Sequence, residues 1–394
     1  MKKILVINCG SSSLKFQLYN FDGTDYDVIC KGVADRIGLP NAFIKIQYGE
    51  GEKQKHEIDL PSHSEAINNV FKLLLNGAIG SMDELSAVGH RIVQGGDIFK
   101  ESVLVTDDVI AQISGLSELA PLHNPAHVLG MKAVKAALPN IPQVAVFDTS
   151  FHQTMAPEAF LYSLPEDQYT RNKIRRYGFH GTSHKFVSEE CAKLIGKKGK
   201  IIVCHLGNGA SISAVENGKC VDTSMGFTPL AGIIMGTRCG DIDPYIPLYI
   251  MKKDGLSIDE VNTLMNKQSG MLALCGYSDN RDVEDGYFKG DEKAILATNA
   301  YVHSIIKYIG AYIAVLGGVD AIAFTAGVGE NGFLVRRLIM ERLSYLGIKV
   351  DDDNNKKRGE TVMISTPDSQ VKVFVIPTNE ELVIAQDTVR LTTK

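Results

Sequence analysis

Ile4-Leu5-Val6-Ile7-Asn8-Cys9-Gly10-Ser11-Ser12-Ser13-Leu14-Lys15-Phe16-Gln17-Leu18-Tyr19 has a counterpart near the middle of the chain, Ile201-Ile202-Val203-Cys204-His205-Leu206-Gly207-Asn208-Gly209-Ala210-Ser211-Ile212-Ser213-Ala214-Val215. In each, an apolar run enters a turn of Gly, Ser and Asn and leaves through a strand that alternates apolar with small or polar residues, the pattern of a hairpin with a buried first strand. Small turn residues let backbone N–H groups and hydroxyls converge on one point, which suits a phosphate oxygen. One such turn is ordinary hairpin chemistry. The duplication, and the crowding of Asn8, Ser11, Ser13 and Lys15 at one mouth, point to two facing half-sites for a phosphorylated ligand.

Around these hairpins the chain reads as alternating strands and helices. Strands are expected at about 28–34, 43–48 and 56–60, a helix at 65–75 and another at 126–138, and then the buried strand Gln143-Val144-Ala145-Val146-Phe147 ending in Asp148. In open α/β sheets ligands bind beyond the carboxyl ends of the strands, so Asp148 stands where a carboxylate can work; capping a following helix is the competing role. The second half repeats the plan with a long apolar helix over 291–316, a strand at 319–325, a helix at 333–345 and a strand at 373–376. His303, Lys307 and the acidic start of the long helix argue against a membrane span and for burial between domains or at a subunit interface.

Composition sets the outer limits. The 394 residues suffice for roughly two to three domains, and 44% hydrophobic with 22% charged residues is the balance of a soluble globular protein. Seven cysteines without a Cys-x-x-Cys, behind an N-terminus with no signal-peptide pattern, indicate free thiols and the cytoplasm. A net charge of −5 without a basic run excludes nucleic acid and anionic membrane as expected partners, so positive charge for a phosphate must be local.

Two arginines answer that requirement. Gly89-His90-Arg91-Ile92-Val93-Gln94-Gly95-Gly96 and Gly236-Thr237-Arg238-Cys239-Gly240-Asp241 each set an arginine between glycines that permit close ligand approach. A guanidinium fork grips carboxylate or phosphoryl oxygens in a bidentate manner, although an ordinary ion pair is its commoner use. The pairs His123/His127 and His180/His184 have zinc-ligand spacing, but neither carries an adjacent Glu and Pro125 interrupts the first, which disfavours a metallohydrolase. There is no G-x₄-G-K-[ST]. After the strand at 373–376, Pro377-Thr378-Asn379-Glu380-Glu381 offers a helix cap and paired acids, which complement a helix dipole or serve Mg²⁺.

Gly327-Val328-Gly329-Glu330-Asn331-Gly332 satisfies G-x-G-x-x-G, with Asp351 about twenty residues beyond, which is a dinucleotide fingerprint. An NAD-dependent dehydrogenase is therefore the rival reading. It leaves both hairpins and both arginines unexplained, whereas the same glycines also let a nucleotide's sugar and base approach the backbone. A nucleotide sensor without turnover is a third possibility.

Taken in order, NCGSSSLKFQLY, HRIVQGG, PLHNP, FDTSFHQTM, YGFHGTSH, HLGNGAS, FTPLAG, MGTRCGDIDP, FTAGVGEN and PTNEEL resemble the acetate kinase (acetokinase) family from the first strand to the final helix. The resemblance implies an α/β fold of two duplicated actin-like (ribonuclease H-like) domains with the active site in the cleft between them, 1–148 plus a returning 382–394 forming one and 149–381 the other. It implies reversible transfer of a phosphoryl group from ATP to acetate, giving acetyl phosphate and ADP, with Mg²⁺ (for which Mn²⁺ substitutes), in a homodimer. A propionate kinase of the same family is the alternative.

On matching positions, Arg91, Arg238, His180 and Asp148 are implied as catalytic, with Asn8 and Glu380 at the metal. Lys15, Asn208, Gly209, Asp279, Asn280, Arg281, Gly327, Val328, Gly329 and Asn331 are implied to hold the nucleotide. Val93, Leu122, Phe179 and Pro229 are implied to enclose the methyl group. The family pattern leads one to expect Glu after Thr-Pro-Leu, and Ala231 stands there instead.

Overall fold

Both hairpins form. In the computed structural model, which describes residues 1–393, β1 (Lys2–Cys9) pairs antiparallel with β2 (Ser13–Phe21), setting Asn8 opposite Lys15, and the Gly10 N–H closes the turn on the Ser13 carbonyl at 2.7 Å. In the middle of the chain β9 (Lys200–Leu206) pairs with β10 (Ala210–Glu216) across Gly207, Asn208 and Gly209. The chain divides into two units, one of Met1–Ser150 with the segment from Asn379 onward, the other of Phe151–Thr378.

The first unit contains β3 (Tyr26–Asp35), β4 (Phe43–Tyr48), β5 (Gln54–Glu57), β6 (Leu85–Ile92), β7 (Val103–Leu104) and β8 (Gln143–Phe147) in the sheet order β5-β4-β3-β2-β1-β6-β8-β7. The second contains β11 (Lys219–Thr223), β12 (Ala321–Thr325), β13 (Val362–Met363) and β14 (Lys372–Val375) in the order β11-β10-β9-β12-β14-β13. The core of the two sheets is the same: a three-stranded antiparallel meander, then two parallel strands, then a short antiparallel edge strand. That repeat extends the duplication read from the two turns to a whole layer.

Most expected elements are present with shifted ends. β5 stops at Glu57 because its partner β4 begins at Phe43, which faces Glu57, so residues 58–60 have no strand to pair with. The first helix runs His63–Gly77, capped by Ser62, whose hydroxyl accepts from the Glu65 N–H at 3.2 Å. The helix expected over 333–345 ends at Arg342, and a 3₁₀ turn, Ser344–Leu346, follows it. The long helix, Glu292–Leu316, buries Ala294, Ala297, Tyr301, Ile305 and Ile309 but leaves Leu296 and Val315 exposed, so its apolar girdle is only partly used within the unit.

Both faces of the first sheet are covered. Helices His63–Gly77 and Asn124–Ala137 pack Ile67, Val70, Leu74 and Val134 against Leu5, Ile7, Leu14 and Phe16, while the C-terminal helix Glu380–Thr392 lays Ile384, Ala385 and Val389 on Ile4, Val6, Ala87, Val144 and Val146. Gly89 makes the second arrangement possible: a Cβ there would lie 2.4 Å from Thr388 Oγ1 and 2.7 Å from Ile384 Cγ2. The close approach of helix and strand fixes where the helix begins, and so where Glu380 stands.

Three imidazoles are enclosed in neutral form. Burial pushes His90 down to about 4 and His127 down to about 3, and holds His184 well below the ordinary histidine value. The unfolded chain takes up protons as pH falls through about 6.5 while the folded chain does not, so each site's contribution is intact above that pH and is lost progressively below it. Each unit of pH costs at most about 1.4 kcal/mol per group. The melting temperature is therefore expected to fall steeply from pH 6.5 to 4.5, and a flat calorimetric profile over that range would contradict neutral burial.

Candidate active site

The first unit gathers charged groups at the ends of its parallel strands. Arg91, near the end of β6, donates from Nε to Asp148 Oδ1 at 2.9 Å and from Nη2 to Asp148 Oδ2 at 2.7 Å. Asp148 directly follows β8 and only 2% of its side chain is exposed. It is therefore an ion-pair partner, and its competing role as a helix cap falls away. Glu380 reaches the same guanidinium, Oε2 to Nη2, at 3.8 Å from the first turn of the C-terminal helix, which Asn379 caps by accepting from the Leu382 N–H.

The electrostatics there are unbalanced toward acid. Burial lowers the tendency of Arg91 to hold its proton, but the charges of Asp148 and Glu380 outweigh that and keep it above the usual arginine value. Burial raises the Glu380 carboxyl, against the pull of Arg91, with Asp148 and Glu381 pushing it further up. Two carboxylates share one guanidinium whose Nε and Nη2 are already engaged. Alongside, Asn8, Lys15, Lys31, Lys45, Lys53 and Glu381 line a concavity of about 480 Å³ on the sheet.

The second unit has its own site around the second hairpin turn. A concavity of about 690 Å³ is lined by Asn208, Asp279, Asn280, Arg281, Gly327, Val328 and Asn331, so seven of the ten expected nucleotide residues meet in one hollow. Gly329 instead packs inward, where a Cβ would be 3.4 Å from the Phe324 carbonyl carbon and 3.5 Å from the Cys204 oxygen. Asp279 caps the helix Asn280–Phe288 and accepts from Arg281 Nε and Nη2, bonds that bring its carboxyl down to about 2. Ser278, Glu284, Tyr301 and Arg358 also line the hollow and were not expected. Tyr301 lies on the apolar face of the long helix and Arg358 in an ordinary basic stretch, so neither carries a local signal of its own.

The glycine-rich turn takes a form that does not suit a dinucleotide. Ala326–Asn331 is a single short helix directly after β12, and β12 is flanked by β9 and β14. Asp351, the would-be ribose ligand, instead accepts from the Asn354 N–H as the cap of the helix Asp352–Asn355. The dehydrogenase reading therefore loses its acidic residue. The turn is braced by buried Arg336, which donates Nη1 to the Gly329 carbonyl at 2.9 Å and Nε to Asn355 Oδ1 at 2.9 Å.

Beside Gly209, cationic and imidazole groups converge. A Cβ on that glycine would be 3.3 Å from Arg238 Nη1 and 3.7 Å from His180 Nε2. Arg238 is half-buried, donates to the Pro229 carbonyl at 3.1 Å, and has no carboxylate within ion-pair distance among the described residues. Burial lowers its pKa for that reason. Asn208 Oδ1 would be only 2.0 Å from a Cβ on Gly236, so that glycine admits the asparagine to the turn.

The four residues expected around a methyl group are divided between the units. Val93 and Leu122 belong to the first, where Leu122 is 70% exposed; Phe179 and Pro229 belong to the second, with Phe179 buried. Among the described residues no three His, Cys, Asp or Glu side chains form a group that could hold a metal ion. Among those residues, too, no helix is long and apolar enough to cross a membrane.

Known proteins resemble the chain throughout. A model of the acetokinase family matches residues 3–386. An acetate kinase from Dictyoglomus thermophilum is 54% identical over 399 residues, covering 100% of both chains. The crystal structure of Porphyromonas gingivalis acetate kinase superposes with a TM-score of 0.95 at 44% identity over 100% of each chain. A propionate kinase from Francisella tularensis superposes with a TM-score of 0.93 at 41% identity, over 99% of this chain and 100% of the other. These matches span both units, and the α/β fold is the duplicated actin-like one that the family resemblance implies. With its motif order, its repeated sheets and these likenesses, the chain belongs to the acetokinase family.

Proposed function

We propose that this chain catalyses reversible transfer of the γ-phosphoryl group of ATP to acetate, forming acetyl phosphate and ADP, with Mg²⁺. Family membership sets the reaction class, and one observation carries it into this molecule: Arg238, half-buried without a carboxylate partner, beside His180 and the Gly209 turn. An isolated guanidinium at a glycine turn is a site prepared for an anion.

In the forward direction a carboxylate oxygen of acetate attacks the γ-phosphorus and the bond to the bridging oxygen of ADP breaks, so ADP leaves with the electron pair. The nucleophile is already deprotonated and needs no general base; the barrier lies in bringing two anions together in line. Arg91 and Arg238 take up the charge of acetate and of the phosphoryl group, and His180 stabilises the transition state. Asn208, Gly209 and Lys15 hold phosphates, while Asp279, Asn280, Arg281 and the 327–331 turn hold the nucleoside. Val93, Leu122, Phe179 and Pro229 receive the methyl group.

The residues of the first unit suit a divalent cation. Glu380, raised by burial beside Asp148 and Glu381, is relieved by added positive charge, and Mg²⁺ takes one or two carboxylates, waters and substrate phosphates rather than an all-protein cage. Asn8, Asp148 and Glu380 would hold it. Bound there, Mg²⁺ would supply positive charge to neutralise and orient the phosphates. Glu380→Ala is expected to raise the Mg²⁺ concentration needed for half-maximal activity about tenfold and to weaken Mg·ADP binding by calorimetry; unchanged titrations would remove Glu380 from the metal.

A homodimer is also proposed. The helix Tyr245–Asp254 buries none of its residues, and Tyr245, Leu248 and Tyr249 are each more than half exposed, an apolar patch suited to a second copy. Sedimentation at twice 42.9 kDa is expected, with Leu248→Asp shifting the population toward 42.9 kDa; a monomer in the unsubstituted protein would refute it. Seven free cysteines support the cytoplasm as the compartment, which cell fractionation tests.

The deciding experiment is a hydroxamate assay with Mg·ATP and either acetate or propionate. Acyl phosphate with acetate as the better substrate by kcat/KM is expected. One methylene is worth about 1–3 kcal/mol in an apolar pocket, so propionate is disfavoured rather than refused. A preference for propionate would reassign the substrate, and no acyl phosphate from either would overturn the reading.

A further inference from the structure

Two imidazoles stack beside the Gly207-Asn208-Gly209 turn. The rings of His180 and His205 are 4.2 Å apart and 17° from parallel. Each turns Nδ1 to a serine: His180 Nδ1 is 2.8 Å from Ser211 Oγ, and His205 Nδ1 is 2.8 Å from Ser183 Oγ. Each turns Nε2 toward the turn, since a Cβ on Gly209 would lie 3.7 Å from His180 Nε2 and one on Gly207 would lie 3.8 Å from His205 Nε2. Which nitrogen carries the proton decides whether the turn meets a donor or a lone pair.

A third imidazole decides the case of His180. His184 Nε2 lies 2.7 Å from the same Ser211 Oγ. A hydroxyl has one proton, so Ser211 donates to one ring and accepts from the other. His184 is fully buried and its Nδ1 has no hydrogen-bond partner among the described residues. Were the single proton of His184 on Nδ1, an N–H would be buried without an acceptor, and the Ser211 proton would go to His184. With the proton on Nε2, the nitrogen without a partner carries only a lone pair, the less costly state. His184 therefore donates to Ser211, and Ser211 donates to His180 Nδ1. Behind His205 the pattern repeats: Thr378 Oγ1 donates to Ser183 Oγ at 2.8 Å, leaving the Ser183 proton for His205 Nδ1.

We propose that Ser211, with His184 behind it, is a positioning residue that holds His180 as its Nε2–H tautomer, so that a hydrogen-bond donor faces the Gly209 turn. Ser183, with Thr378 behind it, does the same for His205. The value of a donor there rests on the phosphoryl-transfer reading, since an N–H aimed at developing phosphoryl charge stabilises it and a lone pair repels it. A neutral imidazole in a fixed tautomer supplies that donor without being protonated, and the left-handed backbone of His180, φ 58° at the start of the helix Gly181–Leu194, fixes the ring's approach.

The test is a long-range ¹H–¹⁵N correlation spectrum of the ¹⁵N-histidine-labelled protein without substrates, with signals assigned through His180→Gln and His205→Gln. Both rings are expected as Nε2–H tautomers. Ser211→Ala should convert His180 to a mixture while His205 keeps its pattern, and should lower kcat about 10- to 100-fold with both KM values within about threefold. Ser211→Thr, which restores the hydroxyl, should recover both tautomer and kcat. An Nδ1–H tautomer for His180 in the unsubstituted protein, or an unaltered tautomer in Ser211→Ala, would overturn the proposal. If Ser211→Ala does not fold, the unsubstituted spectrum and Ser211→Thr still decide. Failure of the unsubstituted protein to make acyl phosphate strikes the functional reading alone, because the tautomers are read without turnover.

Discussion

Arg238→Ala is expected to lower kcat by about 10³-fold or more while leaving the melting temperature unchanged or higher. An arginine that neutralises a transferring phosphoryl group contributes about 10³ to 10⁵ in rate. Among the described residues Arg238 bonds to neutral acceptors, the Pro229 carbonyl at 3.1 Å and the Met235 sulfur at 3.8 Å, and no acid there offsets its burial. Its removal relieves a desolvation cost in the resting protein and exposes the whole deficit in the transition state. Arg238→Lys should recover little, because an ammonium lacks the planar fork. Turnover within tenfold of the unsubstituted protein would take Arg238 out of the mechanism; a large loss of stability would show that the residue is structural.

Arg91→Ala is expected to behave differently, losing turnover by orders of magnitude and stability by about 3–5 kcal/mol, the usual effect of breaking a buried ion pair from one side. The sequence leads one to expect lost turnover with the fold intact. The structure alters that expectation, because both donors of the Arg91 edge are bonded to nearly fully buried Asp148, with Glu380 beside it. Removing the cation leaves two acids facing one another. The double variant Arg91→Ala, Asp148→Asn should therefore recover much of the lost stability without recovering turnover. Melting curves for the two variants test this: equal stability in both would show that the Asp148 charge is not what the arginine balances.

The contrast between the two arginines marks how far the sequence reaches. Both hairpins were legible because turn composition and alternation are local properties, and the strand ending at Asp148 was legible because the apolar run Val144-Ala145-Val146-Phe147 ends in an acid. Glu380 was identified by its motif, but nothing in Pro377-Thr378-Asn379-Glu380-Glu381 says that it meets Arg91; that depends on Gly89 admitting the C-terminal helix to the sheet. At Gly329 a Cβ would lie 3.4 Å from the Phe324 carbonyl carbon and 3.5 Å from the Cys204 oxygen, and a glycine fingerprint does not by itself tell close approach to a ligand from close approach to the chain. The end of β5 at Glu57 depends on where β4 begins, at Phe43 on a different strand. Ser211 stood within the quoted hairpin, but its two imidazole partners come from a different element, so only the assembled structure exposes it.

The return of the helix Glu380–Thr392 to the first sheet also dictates an order of events during synthesis. Every residue of the second unit is made before this helix, and until it arrives Ile4, Val6, Ala87, Val144 and Val146 present a bare apolar surface. A ribosome-bound chain can complete the second unit while the first waits, an interval in which chaperone binding or mispairing of nascent chains is most expected. Glu380 travels on the first turn of that helix, so the last fragment of the first unit to be translated also brings the last acid of the Arg91–Asp148–Glu380 cluster. Assembly of the charge cluster and completion of the fold are thus a single step, and a nascent chain lacking one lacks both.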